Sequence, residues 1–295
     1  MNYLKQVVVA FLWGSTFIAG NVAARSLPSF TVAFLRFVCA ALTLLAVVYA
    51  SGDRLPRLSR RELWLSLGMA ASGMALYNLC FISGLRLIEA SRASMIIALN
   101  PVAVALFSAL LFKERLRPLQ WLGVAIASGG AMFIISGGRL ALLAQGFGPG
   151  ELCILGGMCC WVCYTFLGKL AMKTMQPLQA VTWAAILAVA LLALPAAGEG
   201  CFTARLWQDS DWRTLVSLFV LGALGTAVAF TWYYQSVSLI GPTATAVFIP
   251  LNPMFATVMA FFLLGERPAR SFFLGAALIV LGVLLTNNIL SPKRS

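Results

Sequence analysis

Short charged strips divide this sequence into apolar runs of about 18–23 residues, the length that an α-helix needs to cross about 30 Å of hydrocarbon. Ten such runs lie at about 4–24, 30–50, 63–84, 90–112, 118–136, 151–172, 178–197, 213–235, 243–264 and 271–289. The composition agrees, since 61% of the residues are hydrophobic, 10% are charged and none is histidine. The pattern predicts an all-α integral membrane protein with ten transmembrane helices, numbered 1 to 10 in chain order.

The chain also repeats part of its own sequence. The segment Leu99-Asn100-Pro101, followed by Glu114-Arg115, returns 152 residues later as Leu251-Asn252-Pro253, followed by Glu266-Arg267. A weaker repeat relates the first helix to the sixth, where Trp13 corresponds to Trp161 at an offset of 148. The sequence is therefore a tandem duplication.

The duplication predicts the domain organisation. We expect a first five-helix repeat at 1–137, a glycine-rich linker at 138–150 and a second five-helix repeat at 151–295. Because five is an odd number, the second copy is expected to cross the membrane in the opposite direction. The predicted fold is thus two inverted five-helix repeats.

Lysine and arginine set the predicted orientation, because cytoplasmic loops are enriched in both. With a cytoplasmic N-terminus, twelve basic residues fall on the inner side and nine on the outer, and within the first five helices the numbers are eight and four. We therefore predict a multi-pass protein of the cell (inner) membrane with both termini in the cytoplasm. The net charge of +12 fits loops against an anionic leaflet, so we expect no nucleic-acid partner.

Cysteines inside the spans have two interpretations. Cys160 and Cys163 have the spacing of a metal or redox dithiol. Cysteine also behaves as a small apolar residue where helices approach each other. Because the chain has no histidine and no second such pair, we favour the second interpretation and expect no metal and no cofactor.

Small residues predict where helices pack closely. In lipid, helices associate through intimate packing, which small side chains allow. Gly123, Ala127 and Gly130 in helix 5, and Gly275 and Gly282 in helix 10, are the candidates for such contacts.

The two Asn-Pro and Glu-Arg segments, together with Leu12-Trp13-Gly14-Ser15-Thr16-Phe17, resemble the drug/metabolite transporter superfamily, specifically its ten-helix EamA-type members. The resemblance extends over essentially the whole chain. It implies a solute carrier with a central cavity lined by helices 1, 3, 4, 6, 8 and 9, and many relatives that export amino acids or other small metabolites. The partners implied are a small-molecule solute and the lipid bilayer, with the chain as a monomer or homodimer.

The paired prolines point to the same region on physical grounds. Pro101 and Pro253 each remove a backbone hydrogen bond and are expected to kink helices 4 and 9, leaving carbonyls that need a partner. Asn100 and Asn252 are therefore candidate substrate-binding residues. The alternative is that each asparagine satisfies its own kink or a neighbouring helix.

Aromatic side chains form a second candidate group. Such residues form an interfacial belt near the ends of spans, whereas deeper in a bundle they wall a cavity suited to amino acids or planar metabolites. The candidate substrate-binding residues of this group, with one neighbouring amide, are Trp13, Tyr77, Asn78, Phe81, Trp161, Trp232 and Tyr233.

Four charged residues are candidates for a gate or vestibule. Glu114 and Glu266 follow helices 4 and 9, where they could form gating ion pairs or simply end the helices. Arg36 and Lys169 each lie within the end of a span, where a charge is costly unless it reaches the interface or a partner. They would either extend to the membrane surface or form a vestibule that attracts anions.

The position of the acidic residues narrows the function. None of the nine acids is predicted at mid-membrane, although cation-coupled antiporters commonly have a carboxylate there. The sequence favours a secondary transporter that exports amino acids or similar neutral or zwitterionic metabolites by alternating access. Multidrug efflux is the alternative. The chain lacks the clustered acid–base groups that a membrane-embedded enzyme would need. A role as a scaffold would leave the paired prolines unexplained.

Overall fold

The computed structural model describes residues 2–52, 54–85, 87–88, 93, 96–136, 148–203, 211–264 and 270–287. These residues form helices joined by turns and loops, without a strand, so the predicted all-α fold is confirmed. We number ten helices in the described part: α1 Asn2–Ser26, α2 Ser29–Ala50, α3 (Arg60–Met69, Ala70–Leu76 and Tyr77–Leu85), α4 Asn100–Phe112, α5 Pro118–Ile135, α6 Pro149–Ala171, α7 Pro177–Gly198, α8 (Trp212–Phe219, Val220–Val228 and Ala229–Ile240), α9 (Pro242–Ala246 and Leu251–Leu264) and α10 Ser271–Thr286.

The helices make a multi-pass membrane protein. Eight of them are long and apolar enough to cross a bilayer, while α4 and α10 are shorter apolar helices over their described residues. Large hydrophobic side chains cover the outer surface, as at Leu194, Phe262 and Phe273, which are 82%, 76% and 70% exposed. In lipid such a surface carries no hydrophobic penalty, and the packing between helices must hold the bundle together.

Two helices are interrupted where the Asn-Pro segments lie. α4 begins at Asn100 after a turn, and α9 stops at Ala246, passes through a turn and resumes at Leu251. Pro101 and Pro253 thus lie in the first turn of a helical segment. The sequence had suggested that each proline kinks a continuous helix, and this expectation was wrong. The first turn tolerates proline because its N–H would lack an intrahelical partner in any case.

Two other helices contain a wide π-helical turn. Ala70–Leu76 in α3 and Val220–Val228 in α8 are π-helical, with ordinary α-helix on either side. These are the third helices of the two halves. π-helical segments are rare and are frequently found at functional sites.

The two halves of the chain pack into each other. α1 packs on α8 and α9 of the second half, and α6 packs on α3 and α4 of the first half. α2 contacts α7 and α8, and α7 contacts α2 and α3. Because each half buries its helices against the other, the two halves meet at the centre of the protein. We call this interface between the halves the seam.

α5 and α10 pack closely against each other, as the small residues predicted. A Cβ atom built on Gly123 would lie 2.7 Å from the Gly282 carbonyl oxygen, and one on Gly130 would lie 2.7 Å from that of Gly275. Real Cβ atoms do not approach this closely. The two backbones therefore meet at these glycines, and any larger residue would push them apart.

Candidate functional site

A cavity of about 470 Å³ lies at the seam between the halves. This volume falls within the range of small-molecule sites, roughly 300–1,000 Å³. Nine of the residues singled out from the sequence line it, namely Trp13, Arg36, Tyr77, Asn78, Phe81, Asn100, Trp161, Asn252 and Pro253.

Aromatic rings from four helices form one wall of the cavity. The ring centroids of Trp13 on α1 and Trp161 on α6 are 5.5 Å apart, at an interplanar angle of 81°. Phe230 on α8 lies 5.8 Å from each of them. On α3, Tyr77 lies 5.9 Å from Trp161 and stacks on Phe81 at 5.9 Å. These edge and stacked contacts hold the wall rigid.

The two tryptophans correspond in the repeat but differ in their hydrogen bonds. Trp13 Nε1 donates to the carbonyl oxygen of Gly225, in the π-helical turn of α8, at 3.0 Å. Trp161 Nε1 approaches the Tyr233 hydroxyl without a well-aligned bond among the described residues. Trp13 is therefore fixed to the second half by a bond that has no well-aligned equivalent at Trp161.

The asparagines at the helix interruptions have unused hydrogen-bonding capacity. Asn100 is 3% exposed, and its Oδ1 and that of Asn252 are buried without a partner among the described residues. The side-chain amide of Asn78, in contrast, donates to the Met74 carbonyl oxygen of its own helix. A buried amide oxygen without a partner is costly, so Asn100 and Asn252 are the lining residues most in need of a hydrogen-bond donor.

Two predicted site residues on α8 do not line the cavity. Trp232 turns towards the start of α1, where Lys5 Nζ lies 5.8 Å from its ring centroid. Tyr233 is fully buried behind the tryptophans, 5.4 Å from Trp13, and its hydroxyl lies 3.1 Å from Thr165 Oγ1. Neighbouring residues of a helix point about 100° apart, so only one face of α8 reaches the cavity. Phe230 occupies that face.

Of the four candidate gate or vestibule residues, Glu114 and Lys169 lie away from the cavity lining. Glu114 accepts hydrogen bonds from Ser108 and, at 3.4 Å, from Thr243 Oγ1 at the start of α9. The charge of Lys169 on α6 is attracted to the same carboxylate. Glu114 thus joins α4 to two helices of the second half. Glu266 lies outside the described residues, and Pro101 is not part of the cavity wall.

Arg36 is the charged residue that reaches the cavity. Its Nε donates to Thr226 Oγ1 at 2.7 Å, and its Cζ lies 5.6 Å from the ring centroid of Phe37. The sequence marked Arg36 as unusual because it interrupts an apolar span. Nothing in the sequence indicated its partner Thr226, which is 190 residues away.

Sequence reasoning also missed the contribution of two helices to the lining. α2 provides Phe37 as well as Arg36, and α5 provides Ala131, Ile134 and Ile135. These are ordinary apolar residues in apolar helices. No local pattern distinguishes a cavity-facing isoleucine from a lipid-facing one.

Comparison with known proteins gives a consistent result. The model of the EamA-like transporter family matches residues 3–136 and 148–288. The uncharacterized transporter YyaM of Bacillus subtilis is 25% identical over 99% of this chain and 95% of its own length. The uncharacterized inner membrane transporter YedA of Escherichia coli K12 is 26% identical over 93% of this chain and 86% of its own.

One relative has a name that states a substrate. A "probable terminal-alkyne amino-acid exporter" of Streptantibioticus cattleyicolor is 27% identical over 95% of this chain and 91% of its own. A solved crystal structure with 22% identity aligns over 99% of both chains with a TM-score of 0.80. This structural similarity shows that the two chains share a fold.

Proposed function

Because this chain belongs to the EamA-like transporter family, we propose that it exports amino acids or similar small neutral or zwitterionic metabolites. The family assignment and the membrane-spanning helices make it a membrane transporter. The substrate class, the direction and the residues that bind the solute are the proposed part. We further propose that the halves are inverted repeats, at 1–137 and 151–295, and that both termini are cytoplasmic.

The observation that carries the proposal is a pair of cavity-lining asparagines whose side-chain oxygens have no partner among the described residues. Asn100 and Asn252 follow the two helix interruptions, and both residues border a space large enough for an amino acid. Interrupted helices at corresponding positions of two repeats are where secondary transporters bind their substrates. The aromatic wall beside them suits an apolar or planar side chain.

The way in which the halves interlock supports a proposal of alternating access. The cavity wall combines Trp13 of the first half with Trp161 and Phe230 of the second. If one half rocks against the other, these residues stay at the pivot while the two ends of the seam open in turn. Glu114, which bonds Thr243 of the second half, is then among the contacts that must break at one end.

Flux measurements on purified protein test this proposal. We expect proteoliposomes containing the protein to take up members of an amino-acid and metabolite panel in counterflow, above protein-free liposomes. Uptake confined to lipophilic cations would favour multidrug efflux, and no uptake of any compound would contradict a transport function.

Asparagine variants test the position of the site. Asn100→Ala and Asn252→Ala should each weaken binding of the transported solute by about 1–3 kcal/mol, because a polar group of the solute loses its partner. Thermal stability should change little, since neither side-chain oxygen has a partner among the described residues. Asn287→Ala is the matched control, because its Oδ1 is also unpartnered but it lies at the end of α10, outside the cavity lining. Equal affinities in all three variants would place the site elsewhere.

A further inference from the structure

Arg36 lies deep in an apolar helix, on the wall of the cavity. It is about two turns, or roughly 10 Å, from the start of α2 at Ser29. A charge at this depth is expensive, and ionisable residues inside a membrane bundle usually face a cavity and serve a function. The side chain borders the same space as Asn100 and Trp161.

The guanidinium is held in place by groups that leave its charge uncompensated. Thr226 donates its own hydroxyl proton to the Leu221 carbonyl oxygen at 2.8 Å, so its oxygen lone pair is available to accept from Arg36 Nε at 2.7 Å. Phe37 supports the group through its ring face. Both partners are neutral, and they orient the arginine without cancelling its charge.

Arg36 has no carboxylate among the described residues to pair with. The described acids are Glu62, Glu114, Glu151, Glu199 and Asp211, and none of them lines the cavity. Among the described lining residues Arg36 carries the single formal charge. The cavity is therefore positive at one pole and otherwise aromatic, aliphatic and amide in character.

The repeat indicates that packing does not require this arginine. At the offset of 148 that relates the first helices, and that also relates Ser29 to Pro177 at the starts of α2 and α7, the counterpart of Arg36 is Ala184. Ala184 is fully buried. One half thus has a small apolar residue where the other presents a cation to the cavity.

We propose that Arg36 is the docking point for a carboxylate of the transported solute, so that the cavity accepts carboxylic acids, with or without an α-amino group, and discriminates against amines that lack a carboxylate. The inference rests on the proposed transport function and names the group of the solute that is recognised. The planar guanidinium can bind a carboxylate through two parallel hydrogen bonds, which are the strongest such contacts in a water-poor site. The aromatic wall then contacts the rest of the molecule.

Matched ligand pairs isolate the head group. The protein in lipid nanodiscs is titrated by calorimetry with 3-phenylpropionate, 3-phenylpropanamide and 3-phenylpropylamine, and with 4-methylpentanoate and 4-methylpentanamide. Each set shares a carbon skeleton and differs at one end. We expect each acid to bind at least tenfold more tightly than its amide, and the amine to bind least. Equal affinities for acid and amide, or tighter binding of the amine, would overturn the proposal.

Variants of Arg36 assign the preference to this residue. Arg36→Gln should weaken binding of the acids to the level of the amides and leave amide affinity unchanged, while Arg36→Lys should retain part of the preference. Arg213→Gln is the control, because Arg213 is an exposed arginine at the start of α8, outside the cavity lining. An unchanged ratio of acid to amide affinity in Arg36→Gln would contradict the proposal.

A second measurement does not depend on the variants folding. Phenylglyoxal modifies accessible guanidinium groups, and mass spectrometry of the wild-type protein reports the extent of modification at Arg36. We expect 3-phenylpropionate to protect Arg36 and 3-phenylpropanamide not to; equal protection would overturn the assignment.

Counterflow with the same compounds separates the two proposals. Transport without preference for acids would contradict the role of Arg36 alone, whereas selective binding of acids without flux would contradict transport alone.

Discussion

At the scale of single residues, the two tryptophans show how a duplicated position can acquire two roles. Trp13 and Trp161 are both 8% exposed and meet edge to face at the cavity wall. Only Trp13 has a well-aligned acceptor among the described residues, the carbonyl oxygen of Gly225. The first tryptophan therefore fixes the contact between the halves, and the second lacks an equivalent well-aligned bond among the described residues.

This difference predicts unequal costs for the same substitution. Trp13→Phe and Trp161→Phe remove similar ring volume, but only the first leaves a backbone carbonyl without its donor. We expect Trp13→Phe to lower the free energy of unfolding by about 1 kcal/mol more than Trp161→Phe does. Thermal unfolding of both variants in one detergent gives the comparison. Equal melting temperatures would show that the Gly225 bond contributes nothing to stability.

At the scale of helices, irregular backbone occurs next to the cavity. The turn before α4 and the interruption of α9 flank Asn100 and Asn252, and the π-helical turn of α8 provides the acceptors for Trp13 and Arg36. Irregular backbone is tolerated within a membrane protein where it is buried or lines a cavity. Regular helices such as α5 and α10 instead pack closely along their length.

The contact between α5 and α10 gives a prediction with a control one residue away. Gly130→Ala places a Cβ atom 2.7 Å from the Gly275 carbonyl oxygen, so the helices must separate, at a cost of about 1–3 kcal/mol. A Cβ atom on Gly129 meets nothing within 4 Å. We expect Gly130→Ala to reduce folded yield and melting temperature in detergent, and Gly129→Ala to match or exceed the wild type. Equal loss in both variants would argue against close packing at Gly130.

At the scale of the whole molecule, the halves depend on each other for burial. α1 contacts α8 and α9 more extensively than it contacts α2, and α6 lies between α3 and α4 of the first half. Separate halves would leave the cavity wall and the Arg36–Thr226 bond incomplete. The proposed substrate site is thus a property of the assembled pair of repeats.

Inverted threading of the repeats predicts which side of the membrane two exposed positions occupy. Arg117 precedes α5 and Arg270 precedes α10, and both side chains are exposed. With inverted repeats, a cysteine at Arg117 should react with a membrane-impermeant maleimide only after the cells are permeabilised, and a cysteine at Arg270 should react in intact cells. The wild type provides the background, because Cys159 and Cys163 are also exposed. Labelling of both positions from one side would refute the inverted arrangement.

The sequence by itself determined the membrane environment, the helical fold, the duplication and nine of the residues that line the cavity. These follow from hydropathy, spacing and residue type, which are local properties. Only the tertiary structure decided that Trp232 turns away from the cavity, that α2 and α5 contribute to it, and that Thr226 orients Arg36. The physical reason is that a hydropathy pattern does not distinguish the faces of a helix that is apolar all round. Which face meets lipid, a neighbouring helix or the cavity is fixed when the two halves pack together.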